Sequence, residues 1–269
     1  MRRSIRAAAA AAALSLIVAA CGSDDTADAP APAPDGGDAT VAPPAEPLRV
    51  CSDIPYPPFE FEDADSPLGY SGFDIELIAA IGERLGRSVE IVETGFDALT
   101  SGTAMAAGTC DLAISAMTIT PERAEQIDFS DPYYEADQSL LVPDGSSITS
   151  IADLIAGVVV GVQSGTTGEM YANDNVPGAT VRSFESGGDL LTALAAGQVD
   201  AVIQDLPVNV EEAAKGQSVV VETYPTGEFY GIAFELGSDL VGPVNEALAA
   251  LRADGVYDAL YDKYFPTSS

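Results

Sequence analysis

FDIELIAAIGERLGRSVEIVETGFDALTSGTAMAAGTCDLAISAM, residues 73–117, decides the fold class. Within it FDIELIAAIGERLG (73–86) reads as a helix, SVEIVE (88–93) as a strand, FDALTSGTAMAAG (96–108) as helical and DLAISAM (111–117) as a strand. With LRVCS (48–52) ahead of it, the order is strand, helix, strand, helix, strand, which predicts an α/β fold with a parallel sheet. The pattern restarts after Pro143. ITSIADLIAG, VVVGV, TTGEMYAND, ATVRSF, GGDLLTALAAG, DAVIQD and PVNVEEAAK form a second α/β series; SVVVETYP and EFYGIAFEL read as further strands, and VGPVNEALAALRADGVYDALYDKYF (241–265) as helices. Two such series with no low-complexity linker between them predict two lobes in close contact, and clefts between lobes are common ligand sites.

The chain is 269 residues long and 47% hydrophobic, enough for real cores. It carries 11 Lys+Arg against 42 Asp+Glu, a formal charge of -31. That balance excludes a nucleic-acid partner, whose phosphates need Lys and Arg to displace counterions. Histidine is absent, so Ser/His/Asp and Cys/His nucleophile arrangements and His-ligated metals are excluded, and no cofactor is expected.

The N-terminus, MRRSIRAAAAAAALSLIVAACGS, sets Arg2, Arg3 and Arg6 before an apolar run from Ala7 to Ala20. This reads as an export signal, too short for a comfortable membrane span. The V-A-A-C-G ending resembles a bacterial lipobox, so residues 1–20 are expected to be a lipoprotein signal peptide, with Cys21 left as a lipid-modified N-terminus anchored to the cell membrane. Residues 21–47, rich in Asp, Ala, Pro and Gly, read as a disordered, solvated tether. Cleavage removes three arginines and no acid. Each cation that remains needs a reason. Cys51 and Cys110 then face an oxidising compartment, which suggests a disulfide.

Arg123 is the cation that stands out. In TITPERAEQ, Thr120 is a good N-cap and Pro121 suits the first helical position, so Arg123 falls in a first turn whose end is already electropositive. Two partners can compensate it: a neighbouring acid, or an anionic ligand held by its planar fork. In VVVGVQSGTTGEMY, Thr166 and Thr167 open a helix after Gly165, as either a routine cap or an anion-binding N-terminus. GQVDAVIQDLPV ends an apolar strand on Asp205, as either a helix cap or a ligand carboxylate. Together one arginine, one anion-binding helix start and one carboxylate match an α-amino acid zwitterion.

PPFEF (57–61), GFDIEL (72–77), MTITPER (117–123), DFSDPYY (128–134), GVQSGTT (161–167), AGQVDAVIQD (196–205) and LRADGVYDALYDKYF (251–265) resemble the polar amino-acid family, family 3, of ABC-transporter extracellular solute-binding proteins. The resemblance covers nearly all of residues 48–266. It implies a two-lobe periplasmic-binding-protein (Venus-flytrap, type II) fold with two inter-lobe crossovers, residues 48–136 plus 227–269 in lobe 1 and 139–224 in lobe 2. It also implies site roles. Arg123 would grip the ligand α-carboxylate, helped by Thr118 and the Thr166–Thr167 helix start, while Asp205 and the Ser115, Ala116 and Met117 backbone would take the α-ammonium. Asp53, Tyr56 and Phe96 would line the side-chain pocket, with the two aromatics sandwiching the ligand; Ala116 and Gln163 stand where family members vary. Phe59, Phe129, Tyr133 and Tyr134 are expected to be core and hinge packing. Cys51 and Cys110 fall on strands that neighbour each other in the family's sheet. The expected protein is a monomeric, lipid-anchored extracytoplasmic receptor that passes glutamine or a basic amino acid such as arginine to an ABC permease. It is not expected to be an enzyme; the alternatives are a cyclohexadienyl dehydratase-like enzyme on the same fold and a sensory amino-acid-binding protein.

Overall fold

A computed structural model describes residues 46–266. The signal peptide, Cys21 and all but the last two tether residues lie outside that range. Those two, Glu46 and Pro47, are not free: the Arg87 guanidinium donates to both of their carbonyls, at 3.0 and 2.9 Å.

The first stretch of chain lays down β1 (Leu48–Ser52), the small hairpin β2 (Phe61–Glu62) and β3 (Tyr70–Ser71), α1 (Phe73–Arg84), β4 (Val89–Glu93), α2 (Phe96–Thr100), α3 (Thr103–Ala106), β5 (Leu112–Ala113), α4 (Pro121–Ala124) and β6 (Ile127–Phe129). A second set follows: β7 (Tyr134–Pro143), β8 (Val159–Gln163), α5 (Thr167–Asn175), β9 (Thr180–Phe184), α6 (Gly187–Ala195), β10 (Ala201–Asp205), α7 (Leu206–Ala214) and β11 (Ser218–Tyr230). The chain then returns with β12 (Ala233–Glu235), α8 (Val241–Ala253) and α9 (Val256–Tyr264).

Two five-stranded sheets result, in the orders β4-β1-β5-β12-β6 and β11-β7-β10-β8-β9. Each is the heart of one lobe. Neither is wholly parallel. β1 runs parallel to β4 and β5, but β12 is antiparallel to both β5 and β6; β8 is parallel to β9 and β10, but β7 is antiparallel to β10 and β11. The antiparallel members are the strands that arrive without a crossover helix, which only parallel neighbours require. SVVVETYP and EFYGIAFEL do not form two separate strands as the sequence suggests. Ser218–Tyr230 is one long strand bent by irregularities between Val220 and Glu222 and between Tyr224 and Glu228, and only Ala233–Glu235 forms the next. β7, absent from the sequence-based pattern, pairs with β11 from Tyr134–Tyr230 to Pro143–Ser218 and so ties the two sheets with a two-stranded ribbon.

The first lobe's core is aromatic where the ribbon enters it. Phe59, Phe73, Tyr133 and Tyr230 are fully buried, and Tyr134 nearly so, with Phe59 meeting Tyr134 and Tyr230 edge-on at 5.1 and 5.3 Å. Edge-to-face contacts of this kind add to simple area burial. α1 packs Phe73, Leu77, Ile78 and Ile81 onto the same cluster. Its N-cap, Gly72, has φ +129°, and a Cβ there would lie 2.1 Å from the Phe59 carbonyl oxygen. No other residue fits. Cys51 in β1 and Cys110, just before β5, are bonded, with Cα atoms 5.7 Å apart in an apolar cluster that includes Phe96, Leu99 and Met117.

Candidate functional site

Four strands end at the same place. β1 and β5 of one lobe, and β8 and β10 of the other, point their carboxyl ends into the cleft, which is where open α/β sheets bind ligands. The space between is lined by Asp53, Tyr56, Phe96, Ser115, Ala116, Thr118, Arg123, Gln163, Thr166, Thr167 and Asp205. Of the residues singled out from sequence, Met117 alone does not face it. Its side chain is fully buried beside Cys51 and Ile127, and its carbonyl accepts the Gly231 N–H at 3.0 Å. The carbonyl at 117 is thus engaged with the segment that follows β11.

Arg123 is placed by local sequence. Thr120 caps α4 by accepting the Arg123 N–H at 3.2 Å, and Pro121 occupies the first turn, so the guanidinium projects back toward the cleft. There Nη1 donates to the Thr118 carbonyl at 2.7 Å, Nη2 donates to the Gly165 carbonyl of the facing lobe at 2.9 Å, and the Phe96 ring lies 5.2 Å below it. Of the eight described cations, Arg49, Arg84, Arg87, Lys215 and Lys263 are paired with carboxylates; Arg182 and Arg252 are exposed and lie over aromatic rings. Arg123 is 8% exposed and, among the described residues, has no carboxylate within 4.0 Å. The neighbouring-acid alternative therefore fails. Burial lowers its pKa to about 10, with Asp205 and Glu228 holding it up. Its two charge-assisted hydrogen bonds go to backbone carbonyls, which offset the burial of the guanidinium without neutralising it.

Asp205 resolves its own ambiguity. It stands at the N-cap of α7 but makes no capping hydrogen bond. Instead Oδ2 accepts the Tyr230 and Tyr56 hydroxyls at 2.6 and 3.0 Å, and Oδ1 accepts from Gln138 Nε2 at 2.5 Å. Burial pushes its pKa up to about 6 against these donors, with Glu228 adding to the rise. Asp53 behaves alike: burial raises it to about 6, opposed by a 2.6 Å hydrogen bond from Gln163 Nε2 and reinforced by Glu93 and Asp97. Thr166 spends its hydroxyl on local structure, accepting the Glu169 N–H at 3.2 Å and donating to the Gln163 carbonyl. Thr167 turns its hydroxyl to the polar layer behind the pocket, accepting from Gln138 Nε2 and donating to Glu228 Oε2, each at 3.2 Å, and lies 3.4 Å from Thr118 Oγ1.

Tyr56–Asp205, Gln163–Asp53, Arg123–Gly165 and Thr118–Thr167 all reach from one lobe to the other. The lobes are closed on each other. Gly187 permits the approach, because a Cβ there would meet the Tyr56 ring at 2.9 Å. Sequence reading missed three polar residues behind this surface, Gln138, Glu228 and Tyr230. Gln138 donates to both Asp205 and Glu228 and is the shortest partner of Asp205, with Tyr230 next. The sequence carried little signal for them: Gln138 stands between Asp137 and Ser139, ahead of the apolar Leu140, Leu141 and Val142, and only its full burial in β7 shows that its amide must find partners.

Residues 48–267 match the bacterial extracellular solute-binding proteins, family 3, and the chain belongs to that family. It is 35% identical over 237 residues to a probable histidine-binding protein of Neisseria gonorrhoeae, covering 84% of this chain and 86% of that one. Among solved structures it is similar to an ancestral arginine-binding protein bound to glutamine, at 39% identity and a TM-score of 0.75, covering 82% of this chain and 98% of the other. It is likewise similar to an ancestral amino acid-binding protein described as a precursor of cyclohexadienyl dehydratase, at 40% identity and a TM-score of 0.74, covering 81% and 95%.

Proposed function

We propose that this chain captures a free basic amino acid, arginine first, outside the cytoplasm and presents it to an ABC permease. Membrane attachment through a lipid on Cys21, with residues 1–20 removed and residues 21–47 serving as a tether to a monomeric two-lobe body, belongs to the same reading. The observation that carries it is the charge inventory of the closed cleft. One buried cation, Arg123, with no carboxylate within 4.0 Å among the described residues, faces two carboxylates, the buried Asp205 and the half-buried Asp53. An α-carboxylate on Arg123 and an α-ammonium at Asp205 leave Asp53 over. A cationic side chain between Tyr56 and Phe96 completes the balance and gains cation-π contact, whereas an acidic side chain would bury a third like charge.

Glutamine is the second reading. Gln163 already donates an amide N–H to Asp53, so an amide is compatible with that carboxylate, and a similar arginine-binding protein has been solved with glutamine bound. Titration calorimetry with arginine, glutamine, glutamate and leucine separates the cases. Arginine and then glutamine are expected to bind, glutamate and leucine poorly, and Asp53→Asn should weaken arginine far more than glutamine because only arginine loses a charge pair. A wild-type preference for glutamate or leucine overturns the role given to Asp53. A dehydratase reading is favoured only by the likeness to the enzyme's ancestral precursor; recovery of the bound amino acid unchanged after prolonged incubation counts against it.

pH should act in two opposite directions. Asp53 and Asp205 have folded pKa values of about 6, raised above the unfolded value near 3.8 by burial. Their contribution to the stability of the unliganded protein is therefore fully present below the unfolded value and is lost as pH rises through about 6. A cationic ligand needs both ionised, so between pH 7 and pH 5 its affinity should fall by about tenfold for each carboxylate. Thermal melts of the empty protein should rise over the same interval in which calorimetric affinity for arginine falls. Parallel movement of the two would refute the assignment.

A further inference from the structure

Two carboxylates lie beneath the pocket without lining it. Glu60, from the PPFEF stretch, and Asp74, from GFDIEL, are both fully buried. Ser115 Oγ donates to Glu60 Oε1 at 2.6 Å and accepts the Asp53 N–H at 3.0 Å. Asp74 Oδ2 accepts the Ala116 N–H and the Tyr133 hydroxyl, each at 2.7 Å. Three pocket residues thus take their places from two groups that no ligand in the cavity touches. Ala116 is the one that needs holding. At φ +44° it is the only described non-glycine residue in the left-handed region, where a Cβ is strained, and such strain persists only where surrounding contacts impose it.

The pair has no counter-cation. Among the described residues no Lys or Arg lies within 4.0 Å of either carboxylate, and Glu60 Oε2 and Asp74 Oδ1 are buried with no hydrogen-bond partner. The titratable groups that face them are Asp53, Asp205, Tyr56 and Tyr133, none of which brings positive charge. Two neighbouring buried carboxylates cannot both ionise under these conditions. Asp74 is the better home for the charge, because it sits in the first turn of α1, where the helix end favours an anion, and one of its oxygens accepts two hydrogen bonds. Glu60 accepts one. Burial and the Asp74 charge push the Glu60 carboxyl well above the ordinary range, and burial raises Asp74 to about 7.

We propose that Glu60 and Asp74 are positioning residues that share one proton: protonated Glu60 fixes Ser115, ionised Asp74 fixes Ala116 in its left-handed conformation, and together they set the floor of the ligand pocket. This rests on the amino-acid reading of the cavity above. Because the floor serves every ligand, its loss should strike arginine and glutamine alike, unlike a change at Asp53.

Side-chain carboxyl 13C NMR of the purified full chain, paired with calorimetry using L-arginine and L-glutamine, provides the test. At pH 8 the wild-type Glu60 signal should lie at the protonated position, and in Asp74→Asn its titration should move to lower pH, because burial still raises it but the neighbouring charge is gone. Asp74→Asn should weaken both amino acids by the same factor, about tenfold, and adding Ala116→Gly, which needs no holding at that φ, should restore affinity to within about threefold of wild type. An ionised wild-type Glu60, unequal losses for the two amino acids, or no rescue by Ala116→Gly overturns the proposal. Wild-type protein that binds neither amino acid overturns the ligand reading alone, and the wild-type Glu60 signal then decides the pair by itself.

Discussion

Replacing Arg123 with alanine is expected to weaken every amino acid ligand by about a thousandfold, roughly 4 kcal/mol, the scale of truncating one partner of a buried, hydrogen-bonded charge pair. The loss should be the same for arginine and glutamine because both present the same α-carboxylate. Arg123→Lys should recover little of it, since a point charge cannot donate to the Thr118 and Gly165 carbonyls and still grip a carboxylate in two places. The fold should survive. The guanidinium is a buried charge held only by carbonyls, so its removal relieves desolvation at the same time as it loses two hydrogen bonds. Calorimetry alongside thermal melts decides the matter: affinity within about tenfold of wild type in a folded Arg123→Ala protein removes Arg123 from the site.

Opening the Cys51–Cys110 bridge carries the second large effect, on stability rather than binding. The bridge spans 59 positions of sequence, and closing a loop of that size restrains the unfolded chain by roughly 4 kcal/mol on the chain-entropy estimate. Denaturant unfolding of a Cys51→Ala/Cys110→Ala variant should therefore shift well below wild type while arginine affinity at moderate temperature stays close to it. Unchanged unfolding midpoints, or an intact mass showing two free thiols in exported protein, would dispose of the bridge.

Legibility in the sequence followed how local each cause was. The Thr120–Pro121 cap, the strand end at Asp205 and the helix start at Thr166–Thr167 are short-range patterns, and they single out Arg123, Asp205 and the two threonines; the remaining pocket residues were legible only through the family resemblance. Ambiguities settled by distant partners could not be resolved in advance. Whether Asp205 caps α7 or faces the cleft depends on Tyr56, Gln138 and Tyr230, which lie 149, 67 and 25 positions away in sequence. β7 escaped notice because it arrives directly from the first lobe, with no helix to mark it. The left-handed turn at Ala116 was likewise hidden, since alanine gives no hint of positive φ and its restraint comes from Asp74, 42 residues earlier.

The strand order of the first sheet bears on how the molecule is made. β12, drawn from residues 233–235, lies between β5 and β6, which are encoded more than a hundred residues before it. A chain emerging from its N-terminus thus carries a sheet with a vacant slot between β5 and β6 during the whole synthesis of the second lobe. The second lobe is continuous in sequence and can condense as soon as β11 is complete, whereas the first-made lobe is the last to close. Arg123, on α4 just ahead of β6, waits with it: until Ala233, Phe234 and Glu235 pair with Phe129, Asp128 and Ile127, the segment that aims the guanidinium has no sheet to rest on. Ligand capture is therefore a property that arrives only with the last part of the chain.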